Sequence, residues 1–303
     1  MRTDVRLWRC YALRMLQVLE IIFPIFAIVL VGYLYARRHG PDMASANRLN
    51  LEVFTPALIF SVLSAEGFDL ASYAHLALAA FVVVIGSGLL AWPLARLLGW
   101  NPQVFVPPMM FNNSGNMGLP LALFAFGEAA VPAAMVLFLV ENTLHFTVGN
   151  AMLIKRINPL ALLRMPMLVA TIAGIVVSLA QLPIPQPVHG AIELLGQIAI
   201  PLMLFSLGVR MTGANLSDWR IGLVGGVVSP VSGLLAAWVA LSWFDLSGLQ
   251  AAQLWVFAAL PPAVLNFMLA ERYNIAPQQV AAIVLLGNLA AVVVMPLVLF
   301  QVL

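Results

Sequence analysis

The sequence predicts an all-α membrane protein of ten transmembrane helices, arranged as two inverted five-helix repeats with broken helices at the fourth and ninth positions. Three observations predict it. Hydrophobic residues make up 63% of the 303 and charged residues only 9%, with a mean hydropathy of +1.01, too few charges to cover a water-soluble protein of this length. Apolar stretches of roughly 20 residues, enough to cross a bilayer as a helix, recur along the whole chain. Short words also recur in the same order in the two halves, which marks repetition.

The apolar stretches lie at 17–36, 47–64, 72–98, 104–126, 131–154, 166–182, 189–209, 219–243, 252–271 and 277–302. A transmembrane barrel would show ~10-residue segments of strict alternation, which runs such as IVLVGYLY do not give, so the spans are helices. Short loops join them, and no soluble domain is expected. The chain divides into an N-terminal extension (1–16), a first five-helix repeat (17–154) and a second, inverted repeat (155–303).

Charge sets the orientation. Loops after the odd-numbered spans hold Arg37, Arg38, Arg48, Arg96, Lys155, Arg156, Arg164, Arg210, Arg220 and Arg272, ten of the fourteen basic residues, and the opposite loops hold none. The positive-inside rule makes the basic face cytoplasmic and both termini non-cytoplasmic, in the inner membrane. Arg2, Arg6, Arg9 and Arg14 lie on the side this rule would export. A signal peptide is one reading, although no small-residue cleavage site follows; the charge rule favours a natural start at Met15. The arginines sit at membrane edges and point to no nucleic-acid partner. The single cysteine, Cys10, permits no internal disulfide, and neither a metal site nor a cofactor is expected.

PALIFS (56–61) stands against PLMLFS (201–206), and SGLLA (87–91) against SGLLA (232–236), both at an offset of 145. Pro24 and Gly32 match Pro166 and Gly174 at 142, and PPMMFN (107–112) matches PPAVLN (261–266) at 154. Because five is odd, the second unit enters the membrane from the other side. That is the inverted repeat of secondary transporters, whose substrate site is built from a pair of Gly/Pro-interrupted spans in corresponding positions.

Spans four and nine are that pair. Pro107 and Pro108 precede FNNSGNMGLP, and Pro261 and Pro262 precede Asn266. An interior proline removes an amide donor and clashes one turn back, so in hydrocarbon the break must face protein or a water-filled cavity. Asn112, Asn113, Ser114 and Asn116 read as groups that satisfy loose backbone, and Gly115 and Gly118 as permitting close approach. The N-terminus of a half-helix offers free amides to a carboxylate. The competing reading is a proline kink with small polar residues gluing helices together; the pairing at matched positions favours a substrate site. Asn112 and Asn266, four residues after the second proline of each break, are expected to do unequal jobs: substrate contact at Asn112, backbone satisfaction at Asn266.

Glu141 and His145, four apart on span five, share a helix face. With Asn142, and Asn288 at an offset of 146 in span ten, they are the candidate residues for proton or ion coupling. A polar packing contact to the breaks is the alternative.

The P-x-F-x-x-x-x-x-G-Y start (Pro24, Phe26, Gly32, Tyr33) and N-x-G-N-x-G-L-P (Asn113, Gly115, Asn116, Gly118, Leu119, Pro120) resemble bacterial members of the auxin efflux carrier family. The resemblance covers the chain from Met15 onward. It implies the crossover fold shared with bile-acid symporters, with spans one, two, six and seven as scaffold and the others as a moving bundle, likewise a homodimer. It further implies Pro108 and Pro262 as crossover prolines, Asn112 as a substrate contact, and small organic anions such as auxin-like acids, malonate or malate as substrates. The aspartate pair that related sodium/proton antiporters keep in the fifth span is absent, which argues against that activity. A sodium-coupled anion symporter of the bile-acid type is the main alternative, and a membrane sensor a weaker one, since no output domain is present. An enzyme is not expected, because the breaks carry no Ser-His pair and no His/Cys/Asp cluster.

Overall fold

Hydrocarbon leaves a backbone no solvent to bond, so helices dominate. The computed structural model describes residues 2–65, 68–154, 165–213 and 217–303, with side chains from residue 13 onward except at 213. Lys155, Arg156 and Arg164, and the expected boundary between the halves, lie outside the described residues.

Helix α1 (Arg2–His39) has its apolar part from Leu13. Next come α2 (Ala44–Leu49), a π-helical turn (Asn50–Phe54) and α3 (Thr55–Leu63) without a gap. Asp69 caps the turn that leads into α4 (Ala74–Leu97), accepting from the Ala71 N–H as a helix N-terminus requires. Helices α5 (Pro102–Met110) and α6 (Leu119–Phe126) flank a break. Helix α7 (Val131–Leu144) passes through a second π segment (His145–Gly149) into α8 (Asn150–Ile154). The remainder comprises α9 (Pro166–Leu179), α10 (Gln186–Gln197), α11 (Ala199–Arg210), α12 (Trp219–Trp243), α13 (Gly248–Ala259), α14 (Val264–Arg272) and α15 (Pro277–Val302).

Among the described residues, six continuous stretches are long and apolar enough to cross a membrane unaided: Leu13–His39, Leu70–Leu97, Glu128–Ile154, Gln186–Arg210, Trp219–Trp243 and Pro277–Val302. The expected span at 47–64 runs helical from Ala44 to Leu63 through a π-helical turn, those at 104–126 and 252–271 are interrupted helices, and α9 is only 14 residues long, about 21 Å at 1.5 Å per residue. Leu30, Leu89, Trp238 and Val293 are exposed on the outer faces, as lipid contact demands.

Packing sorts the helices into two groups. Helix α1 lies chiefly along α11, and α3 along α9 and α10, whereas α4, α5, α13 and α15 gather around α12. The groups meet where α1 touches α6 and α15, where α3 touches α7, and where α11 passes the break after α5. Within the first group the closest approach is reciprocal: a Cβ on Gly32 would overlap the Phe205 carbonyl, and one on Gly208 the Val29 carbonyl. In lipid, where apolar area gives helices little reason to associate, small residues supply the contact.

Gly208→Val should therefore destabilise the protein by about 1–3 kcal/mol, the usual cost of overpacking, seen as a lower melting temperature in detergent. Gly190, whose added Cβ would meet nothing within 4 Å, is the control. Gly190→Ala should melt no lower than the wild type.

Candidate functional site

The two interrupted helices begin alike and break differently. Asn101 caps α5 by accepting from the Gln103 N–H at 3.0 Å, and Ser247 caps α13 by accepting from the Gln250 N–H at 3.3 Å. Helix α5 then runs through Pro107 and Pro108 and unwinds only at Phe111. Helix α13 ends at Ala259, and Pro261 and Pro262 lie inside the break. A residue before proline is pushed toward extended backbone, and Leu260, at ψ 145°, complies. Val106, ahead of Pro107, stays helical and buried. The prolines therefore do not mark equivalent points: Pro262 stands at the crossing and Pro108 one turn before it.

At the crossing, Asn112 and Pro262 form an isolated antiparallel bridge. The Asn113 N–H donates to the Pro261 carbonyl at 2.7 Å, and the Ala263 N–H to the Phe111 carbonyl at 2.9 Å. This local symmetry pairs 112 with 262, an offset of 262 − 112 = 150. The aligned words PPMMFN and PPAVLN give 154. The four-residue difference is about one helical turn and reflects the later unwinding of α5.

Three buried side-chain amides complete the backbone accounting at the crossing. Asn112 donates its amide to the Phe257 carbonyl at 2.7 Å; that carbonyl lies one turn before Pro261, which has no N–H to offer it. Asn266 donates to the carbonyls of Phe111 (2.8 Å) and Ala263 (3.0 Å). Asn288 donates to those of Pro262 (3.1 Å) and Val284 (2.8 Å) and accepts from Asn113 at 3.2 Å. Ser114 donates to Glu141 Oε2 at 2.8 Å, and Glu141 Oε1 lies 3.4 Å from His145 Nδ1. The His145 ring stacks on Phe111 with centroids 4.1 Å apart. Asn142 donates to Phe138, one turn back on its own helix.

Beside the bridge lies a cavity of about 150 Å³, a volume that holds a ligand the size of benzene in other proteins. Asn112, Asn113, Gly115 and Asn116, expected at the substrate site, and Glu141, Asn142 and His145, expected for coupling, border it together. Ser114 and Gly118 border a separate void of about 20 Å³ with Gln253, and Asn266 a third, of about 10 Å³, with Pro107 and Pro108. Asn288 reaches the site through Asn113 and the Pro262 carbonyl.

The opposite wall comes from the first helix group and was not foreseen: Asn47, Asn50, Thr55, Ser206 and Arg210. The cavity thus sits on the seam between the two groups. All three π-helical segments among the described residues, Asn50–Phe54, Ser114–Gly118 and His145–Gly149, contribute residues to it; such segments recur at functional sites. Six bordering residues, Asn50, Thr55, Asn112, Glu141, His145 and Ser206, each hold a buried polar atom without a hydrogen-bond partner. Thr55 and Ser206 sit at the edges of the matched words PALIFS and PLMLFS, which in the sequence signalled only repetition. Arg210 read as a loop cation because it closes an apolar run, yet it forms the last turn of α11 and borders the cavity.

A polar cavity on the seam of two helix groups, beside two crossing breaks, suits passage of a small solute rather than chemistry on it. The family model "Membrane transport protein" matches residues 150–299. Over that stretch, just under half of its length, the chain is similar to this family. The match and the motifs together support a multi-pass membrane transporter of the auxin efflux carrier group rather than an enzyme. The chain is 28% identical over 304 residues to a Rhizobium meliloti (strain 1021) protein named "Putative malonate transporter", covering 92% of this chain and 93% of the relative.

Asn288 tests the stitching. Asn288→Ala removes a donor from the Pro262 carbonyl and an acceptor from Asn113, and should cost about 1–3 kcal/mol. Asn288→Asp keeps the acceptor but turns a carboxylate oxygen toward two carbonyls, so it should melt lower still. Equal melting temperatures for wild type and both variants would contradict the role given to Asn288.

Proposed function

We propose that the protein carries small organic anions, carboxylates of the malonate or malate class, across the inner membrane by alternating access. The observation that carries this is the amide-lined cavity beside the crossing breaks, on the seam of the two groups. The relative's name supports the dicarboxylate, and a volume of about 150 Å³ suits an ion of that size.

In this reading the halves are inverted repeats of ten spans, each break completing one. Paired contacts support it: Gly32 packs on Phe205, and its repeat counterpart Gly174 on Phe60, the counterpart of Phe205. The group of α1, α2–α3, α9 and α10–α11 is then the scaffold, which also forms a homodimer, and the rest moves against it. In inverted-repeat carriers such motion is largely rigid-body. The basic loops face the cytoplasm and both termini the other side.

Coupling falls to the buried Ser114–Glu141–His145 chain. A carboxylate and an imidazole 2% and 1% exposed are costly within a membrane unless functional. A proton held there as the anion binds would offset its charge. The sodium-coupled alternative predicts sodium dependence instead.

Reconstituted protein should move labelled malonate, and imposed proton and sodium gradients identify the coupling ion. Glu141→Gln is expected to abolish proton-driven accumulation while preserving malonate exchange between the two sides. Asn112→Ala should lower apparent affinity ~5- to 150-fold with yield intact, the loss of a ligand contact worth ~1–3 kcal/mol. Absence of carboxylate flux across a panel of mono- and dicarboxylates would overturn the assignment.

A further inference from the structure

Among the described residues that border the cavity, Arg210 is the one permanent cation. It is partly buried and makes no hydrogen bond or ion pair with a described residue. Its electrostatic neighbour, Glu271, is exposed to the surroundings and forms no ion pair with it. A guanidinium withdrawn from water without a partner is unfavourable, and its geometry fits a carboxylate in two parallel hydrogen bonds. The neighbours fit the same ligand. Ser206 lies four residues before Arg210 on α11, so the two share a helix face. Thr55, at the start of α3, completes the wall. The hydroxyls of Ser206 (6% exposed) and Thr55 (0% exposed) have no hydrogen-bond partner. Buried hydroxyls are ordinarily bonded, and both can donate to an anion.

We propose that Arg210, Ser206 and Thr55 form a carboxylate-binding half-site on the scaffold side of the cavity. This rests on the organic-anion reading and deepens it. The opposite wall, of asparagine amides and the Glu141–His145 pair, has no permanent cation, so the arrangement selects a substrate with one carboxylate for the arginine and a second polar end for the amides. A dicarboxylate or its monoamide qualifies. An apolar monoacid gains the first contact and loses the second. Because the half-site belongs to the scaffold and the amides to the other group, the ligand bridges the seam.

Binding of malonate, malonamate and malonamide to purified wild type, Arg210→Gln, Arg210→Lys and Glu271→Gln tests this, with melting temperature measured for each. Wild type should bind malonate and malonamate more tightly than malonamide. Arg210→Gln should lose ~10- to 150-fold in malonate affinity, the range of a hydrogen bond to a charged group, and should no longer prefer malonate over malonamide. Arg210→Lys, which keeps the charge but loses the fork, should fall between. Glu271→Gln should bind malonate at least as tightly as wild type. Malonate affinity in a folded Arg210→Gln protein equal to that of wild type would overturn the half-site while leaving the transport reading intact. Should Arg210→Gln fail to fold, equal malonate affinities in wild type and Arg210→Lys would overturn it in the same way. Wild type that binds neither malonate nor any carboxylate in the flux panel would overturn the reading beneath it.

Discussion

In hydrocarbon every unpaired backbone group costs several kcal/mol, and this chain breaks two helices in the middle of its core. The two breaks answer the constraint by bonding each other. Two backbone hydrogen bonds at the Asn112–Pro262 bridge, with amide donors from Asn112, Asn266 and Asn288, replace bonds that the helices give up. Neither break has these partners alone. The crossing is therefore both a fold element and the reason why polar residues are concentrated at one depth of an apolar protein.

Position on the seam follows from the same crossing. The break after α5 lies where α11 of the first group passes, so polar groups needed for backbone accounting on one side face Thr55, Ser206 and Arg210 on the other. A ligand held there touches two bodies that pack more extensively within themselves than across. Binding energy at such a place acts on their relative position, because a ligand shifts an equilibrium by its differential affinity for the two states. The close glycine contacts within the first group, Gly32 on Phe205 and Gly208 on Val29, hold α1 and α11 tightly together.

Much of this was legible in the sequence, for physical reasons. Hydropathy fixes the solvent, and the solvent fixes helices. Prolines and glycines amid apolar runs mark both breaks, and Glu141 with His145 is conspicuous because charge at that depth is rare. The register of the crossing was not legible. Identical Pro-Pro pairs behave differently: Val106 stays helical ahead of Pro107 and Leu260 is extended ahead of Pro261, although both are equally buried. Nor was the second wall. Thr55 and Ser206 look like ordinary helix residues, and Arg210 like a membrane-edge charge, until the helices are packed. Periodicity also cannot announce the π segments, whose extra residue per turn depends on the neighbours that occupy the widened backbone.

The central claim is that one ligand occupies the seam and touches both groups. With Cys10 replaced by serine, single cysteines at Met203 on α11 and at Met268 on α14, both bordering the cavity, report the two walls separately. Modification by a small thiol reagent is followed against malonate, or against whichever acid the flux panel selects. Protection of both positions, half-maximal at the same ligand concentration, is the predicted result. Protection of one wall alone, or at two different concentrations, would contradict a shared site.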